Sequence, residues 1–126
     1  MKVLLVDDEK RFVTVLAKRL RMRGFDADYA FTGEDALNMA ADKRYDVMAL
    51  DVKMPGIGGI QLKARLEELN PDAKFIFVTG HGSLEDFSIG SPQASAYLAK
   101  PVAIDELIDT IHSCTGVSSS DGGAGT

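Results

Sequence analysis

The sequence predicts a three-layer α/β fold around a five-stranded parallel sheet. Two observations carry this. Apolar runs and helically spaced apolar residues alternate along the chain, giving five strands and about five helices, as successive βα units do. The runs KVLLV at 2–6 and VMAL at 47–50 are the most continuously apolar, as strands covered on both faces should be, whereas 25–29 alternates apolar with Asp26 and Asp28, as at a half-wet edge. The first and third strands therefore belong in the middle and the second at the edge. That favours the order 2-1-3-4-5, the flavodoxin-like (βα)5 arrangement, with right-handed crossovers and helices on both faces.

Each element has its own signal. After the first strand, Phe12, Val13, Leu16 and Leu20 recur at helical spacing, and Gly24 stops that helix. Thr32 is placed to cap the second helix, with Glu34 and Asp35 in its first turn and Ala36, Leu37, Ala40 and Ala41 on its apolar face. The third strand ends in Asp51, and Pro55, Gly56, Gly58 and Gly59 mark a loop. A helix through Leu62, Leu66 and Leu69 stops before Asn70-Pro71. A strand over 75–78 ends at Thr79. Segment 83–95 has helical hints in Leu84 and Phe87, but Gly90-Ser91-Pro92 should shorten or loosen a fourth helix there. A weak strand over 96–99 ends at Lys100-Pro101. Ile104, Leu107, Ile108 and Ile111 form the last amphipathic face. The expected unit is residues 1–116, and 117–126, rich in Ser and Gly, is read as a disordered tail or linker remnant.

The 126 residues suit one domain, and a net charge of −5 argues against a general nucleic-acid-binding surface. One cysteine, Cys114, excludes an internal disulfide and fits a reducing compartment. No apolar run approaches membrane-spanning length, and the early first strand leaves no room for a signal peptide. A cytoplasmic protein with no membrane partner is expected.

In a parallel sheet all strand carboxyl ends share one edge, and ligands bind where the strand order reverses. Here the reversal lies between strands one and three. It gathers Asp7 and Asp8 with Asp51, while Thr79 and Lys100 join the same rim. Crowded carboxylates raise one another's pKa unless a cation neutralises them, and a hard cation such as Mg2+ prefers oxygen ligands. Cation, ammonium and hydroxyl around a carboxylate are the parts phosphoryl transfer uses. Asp51, alone at its strand end, is the best candidate nucleophile, with Asp7 and Asp8 left to hold metal.

With these residues in place, the chain resembles the receiver domains of bacterial two-component response regulators. The matching pieces are LLVDDE at 4–9, DVKMPG at 51–56, VTGHG at 78–82 and YLAKP at 97–101, each at a predicted strand end, over roughly residues 2–114. The resemblance implies that Asp51 accepts phosphoryl from a histidine kinase or phosphotransfer protein. It implies that Asp8 binds Mg2+ directly, Asp7 assists through water, and the Lys53 backbone carbonyl completes the protein ligands. Thr79 and Lys100 would bind phosphoryl oxygens, and Gly80 would leave access. Thr79 and Tyr97 match the switch pair, and Lys100-Pro101 would be cis. The output would be a changed surface on the fourth helix, fifth strand and last helix. Lys53 and His81 stand at variable positions that tune phosphoryl lifetime; Lys53 is expected to fold its ammonium over the acidic pocket. Phosphorylation can also drive homodimerisation, which no residue decides.

Plainer explanations exist for single residues. Asp7, Asp8 and Glu9 would suit a helix start, Lys100 a solvated lysine, and Tyr97 an ordinary edge aromatic. His81 and His112 are too few and too separate for zinc and read as surface or rim residues. Cys114 has no base beside it. Lys18, Arg19, Arg21 and Arg23 are either a solvated helix end or part of a kinase-docking surface. Two other functions share the fold's logic: a Mg2+-dependent aspartyl-phosphate phosphatase, and a phosphorylation-independent interaction domain. The first usually has an acid where Lys53 stands. The second would be marked by loss of an acid, Thr79 or Lys100, and all are present.

Overall fold

The computed structural model describes residues 1–53, 56–80 and 95–116. Strands β1 (Lys2–Val6), β2 (Asp26–Ala30), β3 (Val47–Asp51), β4 (Lys74–Thr79) and β5 (Ala96–Ala99) form one parallel sheet in the order β2-β1-β3-β4-β5. Helices α1 (Lys10–Met22), α2 (Gly33–Asp42), α3 (Gly59–Leu69) and α4 (Ile104–Thr115) cover it. The expected fold class and strand order are those observed. The expected helix within 83–95 and the tail at 117–126 lie outside the described residues, apart from Ser95, which pairs its N–H with Phe75 O just before β5.

Strand alternation divides the core into two layers. Val3, Leu5, Val47, Ala49, Ile76 and Val78 face α1 and α4, with Val13, Leu16, Leu20, Leu107 and Ile111 packed on them. Leu4, Val6, Met48, Leu50, Phe75 and Phe77 face α2 and α3, against Ala36, Ala40, Leu62 and Leu66. β1 and β3 are buried on both faces because both layers are filled, as a parallel sheet requires. Each fully buried side chain of this size contributes about 1.5–3 kcal/mol.

Local signals end the helices as expected. Gly24 takes φ +92° after α1, a conformation with a steric penalty for other residues. Thr32 Oγ1 accepts the Asp35 N–H at 3.1 Å and caps α2. The Lys100-Pro101 bond is cis.

Several side chains depart from expectation. Ala41 and Leu69 are exposed, because each ends its helix on the side turned from the sheet. Asp28 is not on a wet face: it is half-buried and accepts hydrogen bonds from Tyr45 Oη at 2.7 Å and Lys43 Nζ at 3.0 Å. Those bonds outweigh the burial that would raise its pKa and hold it below the usual carboxylate range. His112 is not a plain surface residue. Its ring stacks on Phe25 at 6.0 Å and its Nδ1 is buried.

Asn70 does more than end α3. It is 1% exposed; its Oδ1 accepts the Tyr45 N–H at 2.7 Å, and its Nδ2 donates to Ala40 O at 3.0 Å and Lys43 O at 3.4 Å. One amide thus closes the end of α2 and the entry to β3. Asn70→Ala should lower stability by about 2–3 kcal/mol in urea denaturation, because it strands buried backbone groups. Ala41→Gln, on the exposed face of α2, should change it by less than about 0.5 kcal/mol.

Candidate functional site

The register of the sheet builds the site. Val6 pairs with Leu50, so Asp7 and Asp51 emerge side by side at the carboxyl ends of β1 and β3. Both continue the alternation of the α1–α4 layer, Val3-Leu5-Asp7 and Val47-Ala49-Asp51. Asp51 pairs with Val78, and Thr79 with Ala99, so Thr79 and Lys100 each fall one step beyond the preceding strand end. The Lys100 N–H donates to Thr79 O at 2.9 Å, which fixes where its side chain starts.

Asp7, Asp8 and Asp51 each present an oxygen, all within 4.8 Å of one another. Asp7 and Asp51 are 3% and 5% exposed, while Asp8 is exposed. The Lys100 ammonium lies 2.9 Å from Asp7 Oδ2 and 3.6 Å from Asp51 Oδ2. It also pairs with Glu9 and stands 5.0 Å from the centre of the Phe12 ring. Asp7 Oδ1 accepts the Glu9 N–H at 2.8 Å, and Asp51 Oδ1 accepts the Lys53 N–H at 3.2 Å.

The electrostatics follow from this crowding. Burial, then the charge of Asp7, push the Asp51 carboxyl up to about 6, against the Lys53 N–H and Lys100, which pull it down. Burial likewise raises Asp7. Burial alone would lower Lys100, but the carboxylates of Glu9 and Asp7 outweigh it and hold its ammonium above the usual lysine range. One ammonium therefore does not neutralise the pocket. The oxygen donor set and the residual negative charge fit a hard divalent cation.

Gly59 fixes the approach of α3 to the acidic rim. A Cβ there would stand 2.8 Å from Val52 Cα and 3.0 Å from Asp51 O, so only glycine lets the helix start directly behind the β3 exit. A Cβ on Gly80 would meet nothing within 4 Å among the described residues. Thr79 is fully buried, and its hydroxyl makes a long bond to Gly80 O at 3.5 Å. Tyr97 is half-buried, its ring tilted against Phe77 at 5.8 Å.

The sequence match of the family described as the response regulator receiver domain spans residues 3–112. The chain belongs to this family. The response regulator MprA of Mycobacterium avium (strain 104) is 32% identical over 109 residues, covering 86% of this chain and 48% of that protein. The chain thus spans about half the length of such relatives. The receiver domain of the Francisella response regulator 1452 superposes with a TM-score of 0.79 at 32% identity, covering 91% of this chain and 96% of that one. The response regulator TrrA of Thermotoga maritima, solved in complex with Mg2+ and BeF, gives a TM-score of 0.77 at 32% identity, over 90% and 97% of the two chains.

In this receiver domain, Asp7, Asp8, Asp51, Thr79 and Lys100 come to one edge of the sheet, as the strand ends implied. Lys53 reaches the site through its backbone N–H, and its residue as a whole is exposed. His81 lies outside the described residues. Glu9 was the missed participant. It is the third acid of LLVDDE, and its pairing with Lys100 spans 91 residues.

The sign of the pH dependence is set by Asp51. Its folded-state carboxyl titrates near 6, above the ordinary 3.8, so folding takes up a proton between these values. That contribution is complete below 3.8 and is lost as pH rises through about 6. Asp51→Asn should therefore be more stable than wild type at about pH 7.5, by about 1–2 kcal/mol in metal-free buffer. The difference should shrink toward about pH 4, as denaturation curves at both pH values will show.

Proposed function

We propose that this receiver domain takes a phosphoryl group onto Asp51, in the presence of Mg2+, from the phosphohistidine of a sensor histidine kinase or phosphotransfer protein. One observation carries the reading most directly: a buried carboxylate faces a lysine ammonium at 3.6 Å while two further carboxylates complete an oxygen cluster beside it. An Asp51 oxygen forms the new bond to phosphorus as the phosphorus–nitrogen bond to the donor imidazole breaks, and the imidazole leaves with the bonding pair. Lys100 and the Thr79 hydroxyl bind the phosphoryl oxygens and stabilise their charge. Mg2+, held by Asp8, Asp51 and the Lys53 backbone carbonyl with Asp7 acting through water, would spread the negative charge on the transferring group.

The intrinsic chemistry is then self-phosphorylation and slow hydrolysis, and the role is that of a signalling domain rather than an enzyme acting on separate substrates. Residues 1–116 form the receiver unit in this reading. Thr79 and Tyr97 act as the switch pair that remodels a partner surface. The lone thiol Cys114 and the family support a cytoplasmic setting. Kinase docking is assigned to the apolar groove of about 230 Å3 lined by Phe12, Val15, Leu16 and Val102 and rimmed by Arg11 and Arg19. Arg11 and Arg19 are the α1 cations that line the groove, whereas Arg21 donates to Ala27 O and Arg23, just after the helix, is paired with Asp105.

Acetyl phosphate with Mg2+ should add one phosphoryl group by intact mass, and Asp51→Asn should add none. Absence of both an adduct and beryllofluoride binding in wild type would overturn the proposal. Lys53→Ala should still accept phosphoryl but lose it at a different rate; an unchanged decay would remove Lys53 from the tuning role, and the same comparison with His81→Ala tests His81.

A further inference from the structure

Glu9 takes no part in the chemistry above, yet its side chain is committed. It is the N-cap residue of α1, but its carboxylate caps no helix N–H. It reaches instead to the ammonium of Lys100. Its backbone N–H meanwhile donates to Asp7 Oδ1 at 2.8 Å, so the residue is anchored to the site at its other end. The ammonium is shared among three carboxylates. Of these Asp51, the proposed acceptor, is the farthest, at 3.6 Å against 2.9 Å for Asp7. The Phe12 ring beside the ammonium gives it an apolar neighbour on the α1 side.

We propose that Glu9 is a positioning residue that holds Lys100 toward α1 and away from Asp51 until a phosphoryl group arrives. The inference rests on Asp51 being the acceptor. The Glu9 side chain is 59% exposed, so water screens the pair and limits its hold on the lysine to about fivefold. A hold of that size yields to a phosphoryl dianion, yet it biases the resting protein. Removing it should let Lys100 engage phosphoryl oxygens more readily. Charge alone is insufficient for this role: the carboxylate must also reach across from the start of α1.

Two variants separate reach from charge. Glu9→Gln removes the charge and keeps the shape. Glu9→Asp keeps the charge but withdraws it by one methylene. Calorimetric titration with beryllofluoride at saturating Mg2+ should show both variants binding about two- to fivefold more tightly than wild type. In the metal-free protein, the 15N resonance of the Lys100 ammonium should move in both variants. Tighter binding by Glu9→Gln alone would show a general field effect and overturn the proposal. So would unchanged affinity in both, or an ammonium resonance that ignores Glu9. A wild type that binds no beryllofluoride and gains no phosphoryl group would instead sink the acceptor assignment, and this inference with it. Phosphoryl acceptance by wild type with no effect of Glu9 would sink this inference alone.

Discussion

Lys100 is the counter-charge on which the acidic edge of this sheet depends. Asp7 and Asp51 are almost wholly removed from water, and an unpaired buried carboxylate costs several kcal/mol. The ammonium reaches both, and pairing of the backbone fixes where its side chain starts. Thr79 O holds the Lys100 N–H, so the lysine is delivered wherever β4 and β5 align. A slip in that pairing would leave two carboxylates buried without a cation. The strand order matters for the same reason: β3 between β1 and β4 puts Asp51 within reach of both the acids and the lysine.

The compensation is incomplete, and this suits the edge to the cation and phosphoryl chemistry proposed for it. Asp51 still titrates near 6 because burial and Asp7 outweigh Lys100 and the Lys53 N–H. A site that satisfied its carboxylates fully would have little affinity left for a cation. Rigidity elsewhere maintains this imbalance. Gly59 brings α3 against the backbone of Asp51 and Val52, and Asn70 clamps α2 to the entry of β3. Both act on the strand that carries Asp51, one at each end. Preorganised charge of this kind needs a stiff frame, since a mobile loop would relax toward its lowest electrostatic energy.

Much of the site was legible in the sequence because a parallel sheet marks its own edge. KVLLV and VMAL each run into acid, and the period of two fixes the face on which the acid emerges. Thr79 and Lys100 were legible for the same reason. Contacts between distant polar side chains were not. Asn70 before Pro71 reads locally as a helix stop, and nothing near it in sequence announces Ala40, Lys43 and Tyr45. Asp28 reads as a solvated strand residue until Lys43 and Tyr45 fold onto it. Glu9 reads as the acidic start of a helix because its partner is 91 residues away. Ala41 and Leu69 fit a helical spacing, but spacing cannot tell where the covering sheet ends. His112 shows the converse, a polar residue drawn inward by an aromatic neighbour, Phe25.

The alternation of the strands also bears on how the proposed switch would work. Asp7, Asp51 and Lys100 belong to the parity of the α1–α4 layer, whereas Thr79 and Tyr97 continue the parity of Phe75 and Phe77. The phosphoryl group would therefore form on one face of the sheet edge, while the proposed responders lie toward the other. Thr79 is suited to connect them. It is fully buried, yet its hydroxyl makes only a long bond to Gly80 O among the described residues, so turning it toward a phosphoryl oxygen sacrifices little. Tyr97 lies on the neighbouring strand and packs on Phe77, two residues before Thr79. A change of space at the end of β4 would reach the Tyr97 ring through Phe77, because a close-packed layer absorbs little change elsewhere. The switch then needs no long-range path. In the proposed switch, one weakly bonded hydroxyl and one ring sharing a packing layer would carry the change across the sheet edge.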